Sequence, residues 1–398
     1  MLSGRKETAA FSLVLLAGIA AACSSKPHSS GFNTDGDGDD GGDMIIGGNG
    51  GNDGGMFSTG NTEGGASDAM LTGDGPIDVT AACDMGLAVD DSNASSFAKA
   101  IGICTTASGV GYGLVSASYA NAFGATAPPA SAQWGLLPGF GSAITPREGS
   151  TLAVLSSGYA RNYDDPSNSA SDPNADFVTS GGGPRDGENY PTGNAPPGFP
   201  KAAQGCAQSS LVNDMIDVKL VLKAPMNANG FKFDFDFYSS EWPNYVCSNY
   251  NDAFVAYLTS SMTTGNISFD SNNNPVAVNI DFFNRCTPNT EVGCAASENP
   301  FNIGTPTGTD ACAAGPGELA GTGFGDTGPT ACNDMGTATY GGATGWLTTQ
   351  APIQPGEQFT LDFMIWDAGD GLLDSSVLID HFEWIGGNVT TGTSRPPQ

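Results

Sequence analysis

Four phenylalanines alternate with polar residues in the segment FKFDFDFY, which runs from Phe231 to Tyr238. Successive side chains of a β-strand point to opposite faces, so an alternation of this length buries one face of a sheet and exposes the other. The Phe face is therefore predicted to lie in a core, and Asp234 and Asp236 on the solvent face. The pattern indicates an antiparallel sheet, because strands of parallel sheets are apolar on both faces.

A similar alternation recurs near the C-terminus. The residues predicted to share the apolar face of this strand are Phe359, Leu361, Phe363 and Ile365. Further strands are predicted at 218–222, 253–259, 267–269, 276–283 and 377–385. One short helix is predicted over 92–103. Many strands between turns rich in Gly, Pro and Asn, with little helix, predict an all-β domain over residues 77–388, built as an antiparallel β-sandwich or jelly roll.

The N-terminal segment predicts a secretory signal over residues 1–22. A short basic region, Arg5 and Lys6, precedes an apolar run over residues 11–19 and then three alanines before Cys23. This is the order of an export signal, and the apolar run is shorter than the roughly 20 residues that a transmembrane helix needs.

The residues around Cys23 resemble a bacterial lipobox, although Ala20 stands where that pattern prefers Leu or Val. The resemblance implies that Cys23 is acylated and becomes the new N-terminus, and Ser24 after it favours the outer membrane. The expected location is the cell envelope, lipid-anchored or extracellular. The alternative is an ordinary signal peptide cleaved near Ala22, with Cys23 incidental.

Two flanking segments are predicted to be flexible. Residues 23–76 consist largely of Gly, Asp, Asn and Ser, which bury too little apolar surface to offset the entropy of ordering, so we predict a tether. Residues 389–398 are predicted to be a flexible tail. The domain is therefore expected to be displayed at a distance from its lipid anchor.

The cysteines support export independently. An even set of eight remains after Cys23, and such a set in an exported chain is typical of disulfides. These are Cys83, Cys104, Cys206, Cys247, Cys286, Cys294, Cys312 and Cys332. Proximity in sequence makes 286–294 and 312–332 the first expected pairs. A zinc site is disfavoured because there is no CxxC motif.

The charge balance excludes several partners. The formal net charge is −29, with 42 acidic and 13 basic residues. A phosphate backbone needs basic patches, so no nucleic acid partner is expected, and the chain lacks the glycine motifs of nucleotide sites. The expected attachment to the membrane is the lipid, and divalent cations are the natural counter-ions of such a surface.

Two polar clusters follow the alternating strands. Residues 239–254 read SSEWPNYVCSNYNDAF, and residues 367–380 read DAGDGLLDSSVLID. These motifs resemble the choice-of-anchor L domain of bacterial secreted and surface proteins, and the segment 146–158, PREGSTLAVLSSG, resembles an earlier part of that domain. The resemblance covers most of the chain after residue 80 and implies interchangeable anchoring devices, but no activity. Here the device would be the lipid on Cys23.

The acidic residues of these clusters are predicted to bind calcium, which takes six to eight oxygen ligands. The candidate ligands are Glu241, Asp252, Asp367, Asp370, Asp374 and Asp380. The alternative is that the aspartates brace turns through hydrogen bonds to the backbone. Trp242 and Tyr245 are the aromatic candidates for contact with a sugar or another ligand.

The resulting hypothesis is a surface-displayed, non-enzymatic lipoprotein module for adhesion or for binding a glycan or protein ligand, stabilised by calcium. One alternative is a secreted polysaccharide hydrolase, in which Glu241 and either Asp252 or Asp370 supply paired carboxylates. The other alternative is a purely structural envelope protein. A serine hydrolase is disfavoured, because there is no GxSxG motif and His381 is the single histidine of the predicted domain.

Overall fold

The computed structural model describes residues 82–162, 193–279, 282–294, 306–325, 327–330, 332–339 and 341–396. The predicted signal, the tether and Cys23 lie outside the described residues. Among the described residues, no helix has the length and hydropathy needed to span a bilayer.

The described chain is built mainly of strands. Its helices are α1 (Ala94–Ala100) and α2 (Ala107–Val110), with single 3-10 turns at Ser131–Gln133 and Gly317–Leu319. The strands are β1 (Gly113–Ala120), β2 (Trp134–Leu137), β3 (Leu152–Ser156), β4 (Val212–Lys223), β5 (Gly230–Ser239), β6 (Ala253–Thr259), β7 (Thr264–Asn266), β8 (Val276–Ala277), β9 (Thr290–Val292), β10 (Gly308–Asp310), β11 (Thr327–Thr330), β12 (Asn333–Thr339), β13 (Gly342–Ala343), β14 (Leu347–Pro352), β15 (Gln358–Ala368), β16 (Ser375–Ile385) and β17 (Gly392–Ser394).

These strands form two antiparallel sheets that pack face to face. Sheet 1 has the order β17-β14-β5-β16-β3-β2, with β13 also paired to β5. Sheet 2 has the order β1-β4-β15-β6-β7, with β8 also paired to β6. Strands β9 with β10, and β11 with β12, form separate hairpins. The predicted all-β sandwich is confirmed.

The alternating phenylalanines build the core between the sheets, as predicted. Phe233 of β5 contacts Phe363 of β15 edge-on, with ring centroids 4.9 Å apart, and Phe235 lies 5.0 Å from Phe254 of β6. All four are fully buried. Burial of one such side chain contributes about 1.5–3 kcal/mol, so this seam fixes the register of the two sheets.

The outer face of sheet 1 is also buried, which corrects the prediction that Asp234 and Asp236 face solvent. Both are buried. The neighbouring outward residue Tyr238 packs 5.2 Å from Phe140 and 5.4 Å from Phe324, which belong to segments that cross this face. The alternation therefore identified the strand correctly but not what covers its polar side.

Most of the predicted strands are present, but most of their bounds differ from the prediction. Strand β6 has the predicted bounds, while β4, β5, β15 and β16 are longer than predicted. The strand predicted at 267–269 is wrong. The Asn266 side chain forms hydrogen bonds with both the N–H and the carbonyl of Ser268, so these groups are not available for pairing with another strand. Of the stretch 276–283, Val276–Ala277 form β8.

The two ends of the predicted domain also differ from expectation. The helix is shorter than 92–103, because Asn93 caps it by accepting a hydrogen bond from the Ser95 N–H, and Gly102 adopts a left-handed φ of 95° beyond its end. The predicted flexible tail contains β17, whose Thr393 hydroxyl lies 2.7 Å from the Thr349 hydroxyl of β14.

Candidate functional site

The two sequence clusters meet at one end of the sandwich. Glu241 follows β5, Asp252 precedes β6, Asp367 lies near the end of β15 and Asp374 immediately precedes β16. Antiparallel pairing brings these strand ends together, since Trp366 pairs with Ala253, the residue after Asp252. We call Glu241, Asp252, Asp367 and Asp374, with Asp214 of β4, the acidic cluster.

Hydrogen bonds tie the cluster to both sheets. The Asp252 carboxylate accepts from the Ser375 hydroxyl at 2.6 Å and from the Ala368 N–H at 3.0 Å, while the Asp252 N–H donates to Glu241 at 3.4 Å. The Ser240 N–H donates to the Asp374 carbonyl at 3.1 Å. Asp252 therefore links β6, β15 and β16 through one side chain.

Ser157 and Gly158, at the end of β3, close the cluster on its remaining side. The Ser157 hydroxyl accepts from the Ser375 N–H at 2.9 Å. A Cβ atom added to Gly158 would overlap the Asp374 carboxylate. The carboxylate therefore fits here only because residue 158 is a glycine. Residues 155–158, LSSG, therefore lie beside the acidic cluster.

Burial is nearly complete for these carboxyl groups. Glu241 and Asp367 are 1% exposed and Asp252 is 0% exposed. Ser157 and Asp252 lie near the Asp367 carboxyl group, but neither of its oxygens has a partner at full hydrogen-bond geometry in the described part of the chain. An uncompensated buried carboxylate costs several kcal/mol, so a proton or a cation must neutralise this group.

The electrostatics of the cluster follow from this burial. Burial raises the pKa of Asp252 to about 7. Burial and the neighbouring Asp252 raise the pKa of Glu241 and of Asp367 well above their ordinary values, and Asp374 and Asp214 add to the effect on Asp367. Among the described residues, Glu241, Asp252 and Asp367 form no ion pair.

The cluster oxygens are more widely spread than a bound ion would hold them. In the described ranges, three possible metal ligands lie within 4.8 Å of one another at Cys286, Asp310 and Cys312. Both of those cysteines are in a disulfide, so this group cannot hold a metal. A cation in the acidic cluster would have to draw carboxylates inward or take backbone and water oxygens as well.

Two other candidate ligands lie differently from expectation. Asp370 is half-buried beside the cluster, and its carboxylate accepts from the Leu372 N–H at 3.2 Å, as a turn-bracing aspartate would. Asp380 lies six residues along β16 from Asp374, roughly 20 Å away at about 3.3 Å per residue. Its carboxylate accepts from the N–H groups of Arg147, Glu148 and His381. Asp380 is therefore removed from the predicted calcium set.

Of the two aromatic candidates for ligand contact, one is buried and the other is partly exposed. Trp242 is buried, with its ring stacked 5.6 Å from that of Phe283, so its expected role as an exposed contact is wrong for this structure. Tyr245 is half-buried and lies edge-on to Tyr250 at 5.3 Å. The Tyr245 N–H donates to the Glu241 carbonyl at 2.9 Å, so this residue lies close to the acidic cluster, and burial followed by the charge of Glu241 raises the pKa of Tyr245.

The same burial argues against paired carboxylates acting on a polysaccharide. Glu241 and Asp252 lie beneath the loops that join the strands, and neither carboxyl reaches the surface. A glycosidic bond must come within hydrogen-bond reach of its acid.

All eight predicted disulfide cysteines are paired, but two of the expected pairs are wrong. The bonds are 83–104, 206–247, 286–312 and 294–332. Strands β9 and β10 form a hairpin that pairs Thr290 with Asp310, which brings Cys286 opposite Cys312. Sequence proximity failed because Cys286 and Cys294 lie on either side of β9.

A second polar group was not anticipated from the sequence. Arg147, Trp346, His381 and Glu318 line a cavity of about 380 Å³ on the covered side of sheet 1, and Asp234 lies beneath Arg147. One feature of the sequence indicates an irregularity in β16 beside this cavity. The apolar residues of the strand lie at 377 and 379 and then at 382 and 384, and this shift in the two-residue period predicts a β-bulge. The structure has that bulge between Asp380 and Glu383.

Comparison with known proteins gives one match. A family model described as "Choice-of-anchor L domain" matches residues 215–382, which include β4 to β16 up to the bulge. No curated protein and no solved structure matches the chain.

Proposed function

The chain carries a choice-of-anchor L domain and is a surface-associated bacterial protein, and from this premise we propose that it is a non-enzymatic binding module whose acidic cluster holds calcium. Calcium would rigidify the end of the sandwich where the loops after β5 and β15 meet. The module would be displayed from the membrane by the lipid on Cys23.

One observation supports the calcium site above the others. Asp367 is buried beside other carboxyl groups, and neither of its oxygens has a partner at full hydrogen-bond geometry within the described chain. Two like charges 4 Å apart repel by about 4 kcal/mol at an effective dielectric constant of 20. A divalent cation converts this repulsion into attraction, whereas protons merely remove it.

The chemistry of the donors suits calcium better than a softer metal. The cluster offers carboxylate oxygens and backbone carbonyls, which are hard ligands, and its described members include neither histidine nor thiolate. Calcium accepts irregular coordination and water, so it tolerates oxygens that must shift inward, whereas magnesium demands near-ideal octahedral geometry.

Calcium should raise the thermal stability of the full-length protein. At a concentration 100 times its Kd, a ligand that binds only the folded state stabilises by about 2.7 kcal/mol, which corresponds to a rise in Tm of roughly 4 °C for a domain of this size. The measurement is calorimetric melting after treatment with a chelator, repeated with calcium from 1 μM to 10 mM. Unchanged melting at millimolar calcium would exclude the site.

Two variants sharpen this test. Asp367→Asn keeps the shape of the side chain and removes its charge, so the calcium-free protein should melt no lower than wild type while the response to calcium is lost. Asp362→Asn is the matched control, because it removes a buried carboxyl from the middle of β15 outside the cluster and should keep the full response. Equal responses in both variants would place calcium elsewhere.

The lipid anchor is tested separately. Cells expressing the wild-type chain should incorporate radiolabelled palmitate into the protein, and Cys23→Ser should abolish the label. Equal labelling, or no labelling of either protein, would contradict acylation at Cys23.

A further inference from the structure

The cavity lined by Arg147, Trp346 and His381 has the features of a ligand site, and it lies apart from the acidic cluster. Its volume is about 380 Å³, within the usual range for small-molecule sites. Asp380, beside His381 in β16, is roughly 20 Å from Asp374 along the strand. A ligand here would therefore bind without touching the acidic cluster.

Arg147 presents its guanidinium to this cavity. Its Nε donates to Asp234 at 3.0 Å and its backbone N–H donates to Asp380 at 2.6 Å, so the side chain and the backbone are each held by one carboxylate. The guanidinium carbon lies 5.8 Å from the centre of the Trp346 ring. Within the described chain its two terminal nitrogens have no partner, and 35% of the side chain remains accessible.

His381 supplies a second fixed positive charge. Its Nδ1 lies 2.9 Å from Asp234 and its Nε2 lies 3.1 Å from Glu383, so both ring nitrogens donate to carboxylates. The hydrogen bond to Asp234, followed by that to Glu383, raises the pKa of His381 to about 10. This residue also adopts a φ of 56° at the bulge, a conformation that costs about 1 kcal/mol or more and that is often found at functional sites.

The other residues that line the cavity provide an aromatic ring and a hydrogen-bond acceptor. Trp346 is half-buried, because it packs against the apolar residues on the outer face of sheet 1 and lies under Arg147, and the accessible part of its ring can contact the apolar face of a sugar. Glu318 uses one oxygen to accept from Arg285 at 2.6 Å, and among the described residues its other oxygen has no hydrogen bond, so it can accept from a ligand hydroxyl. Thr145 contributes to the same wall.

We propose that this cavity binds a saccharide carrying a carboxylate, with the carboxylate on the terminal nitrogens of Arg147 and the sugar ring against Trp346. A guanidinium fork matches a carboxylate with two parallel hydrogen bonds, and protonated His381 offsets the negative charge of the neighbouring Asp234 and Glu383. The proposal rests on the binding role proposed above and supplies its ligand class. It does not depend on calcium.

The first test compares two probes that differ only in esterification of their carboxylates, which removes the negative charge. Trigalacturonate and its methyl ester are titrated calorimetrically into the full-length protein in a chelator, which removes calcium bound by the sugar or by the acidic cluster. The acid should bind at least 10-fold more tightly than the ester, a difference of about 1.4 kcal/mol. Equal affinities, or no binding of the acid, would overturn the proposal.

Variants then identify the residues. Arg147→Lys keeps the charge but loses the fork, and it should weaken trigalacturonate binding about 10-fold; Trp346→Ala should weaken acid and ester alike. Lys223→Met is the control, since it removes a cation from the far sheet and should leave the affinity unchanged. If Arg147→Lys fails to fold, the wild-type comparison and Trp346→Ala decide. Unchanged affinity in a folded Arg147→Lys would contradict the assignment.

The two proposals can fail separately. Calcium-dependent melting is measured on the same protein samples. Loss of the calcium effect with intact discrimination between acid and ester would reject the cation site alone. The reverse result would reject the saccharide cavity alone.

Discussion

The free energy of unfolding of the calcium-free protein should fall by about 4 kcal/mol or more as the pH rises from 4 to 8. Three buried carboxyl groups outside the acidic cluster carry this prediction. Burial raises the pKa of Asp217 to about 8, of Asp236 to about 7 and of Asp362 to about 6, from an ordinary value of 3.8. A folded pKa only one pH unit above the unfolded pKa contributes about 1.4 kcal/mol, so three such groups already account for the stated loss.

The direction follows from proton binding. When the folded pKa of a carboxyl group exceeds its unfolded pKa, the folded state holds more protons at every pH between the two values. Stability is then greatest below about pH 4 and is lost as the pH rises through the folded pKa. His381 acts in the same direction at higher pH, since its pKa rises from 6.5 to about 10 and its contribution is lost across that interval.

Chemical denaturation at intervals of one pH unit measures this slope. Asp217→Asn removes a buried charge whose pKa is raised first by burial and then by Asp362, so it should flatten the fall between pH 4 and 8. Asp90→Asn, at an exposed position, is the control and should keep the wild-type slope. A stability that increases from pH 4 to 8 would contradict the burial of these groups in the folded protein.

The sandwich was predictable because its core depends on local alternation. The Phe face of β5 and the apolar face of β15 were identified from period-two patterns, and they pack against each other as Phe233 and Phe363. The buried Asp234 and Asp236 were not predictable in the same way. An alternating strand reports which side chains share a face, but the segments that cover that face are distant in sequence.

The meeting of the two acidic segments follows from the fold, because both segments follow strands of one antiparallel domain. Asp380 was misplaced because the prediction counted carboxylates within fourteen residues, although β16 carries the last of them about 20 Å along an extended strand. Trp242 was misassigned for a related reason. Its position directly after β5 suggests an exposed loop. In the structure its ring stacks on that of Phe283, which follows β8 and is distant in sequence.

Replacing Gly158 by alanine should destabilise the protein by about 3 kcal/mol and abolish its response to calcium. A Cβ atom at this position would overlap the Asp374 carboxylate. Overpacking a buried site typically costs 1–3 kcal/mol, and displacement of a charged group within the acidic cluster brings the expectation to the upper end. The calcium response depends on the proposed role of the cluster, whereas the destabilisation does not.

A double-mutant cycle isolates the contact between the two residues. Asp374→Ala removes the carboxylate and leaves room for a Cβ at position 158, so Gly158→Ala should cost little in the Asp374→Ala background. The difference between the two costs is the interaction energy, and we expect about 2 kcal/mol or more, within the range seen for contacting residues. The measurement is urea unfolding of the four proteins in a chelator.

Gly392→Ala is the matched control for this cycle. Gly392 lies in β17, and a Cβ atom there would meet nothing within 4 Å. Alanine at that position should leave both stability and the calcium response close to wild type, since it adds a methyl group without displacing a neighbour. If Gly158→Ala proved as mild as Gly392→Ala, or if its cost were the same with and without Asp374, then Asp374 would not occupy the space above Gly158. The geometry of the acidic cluster would have to be redrawn, because Gly158 forms the wall that admits one of its carboxylates.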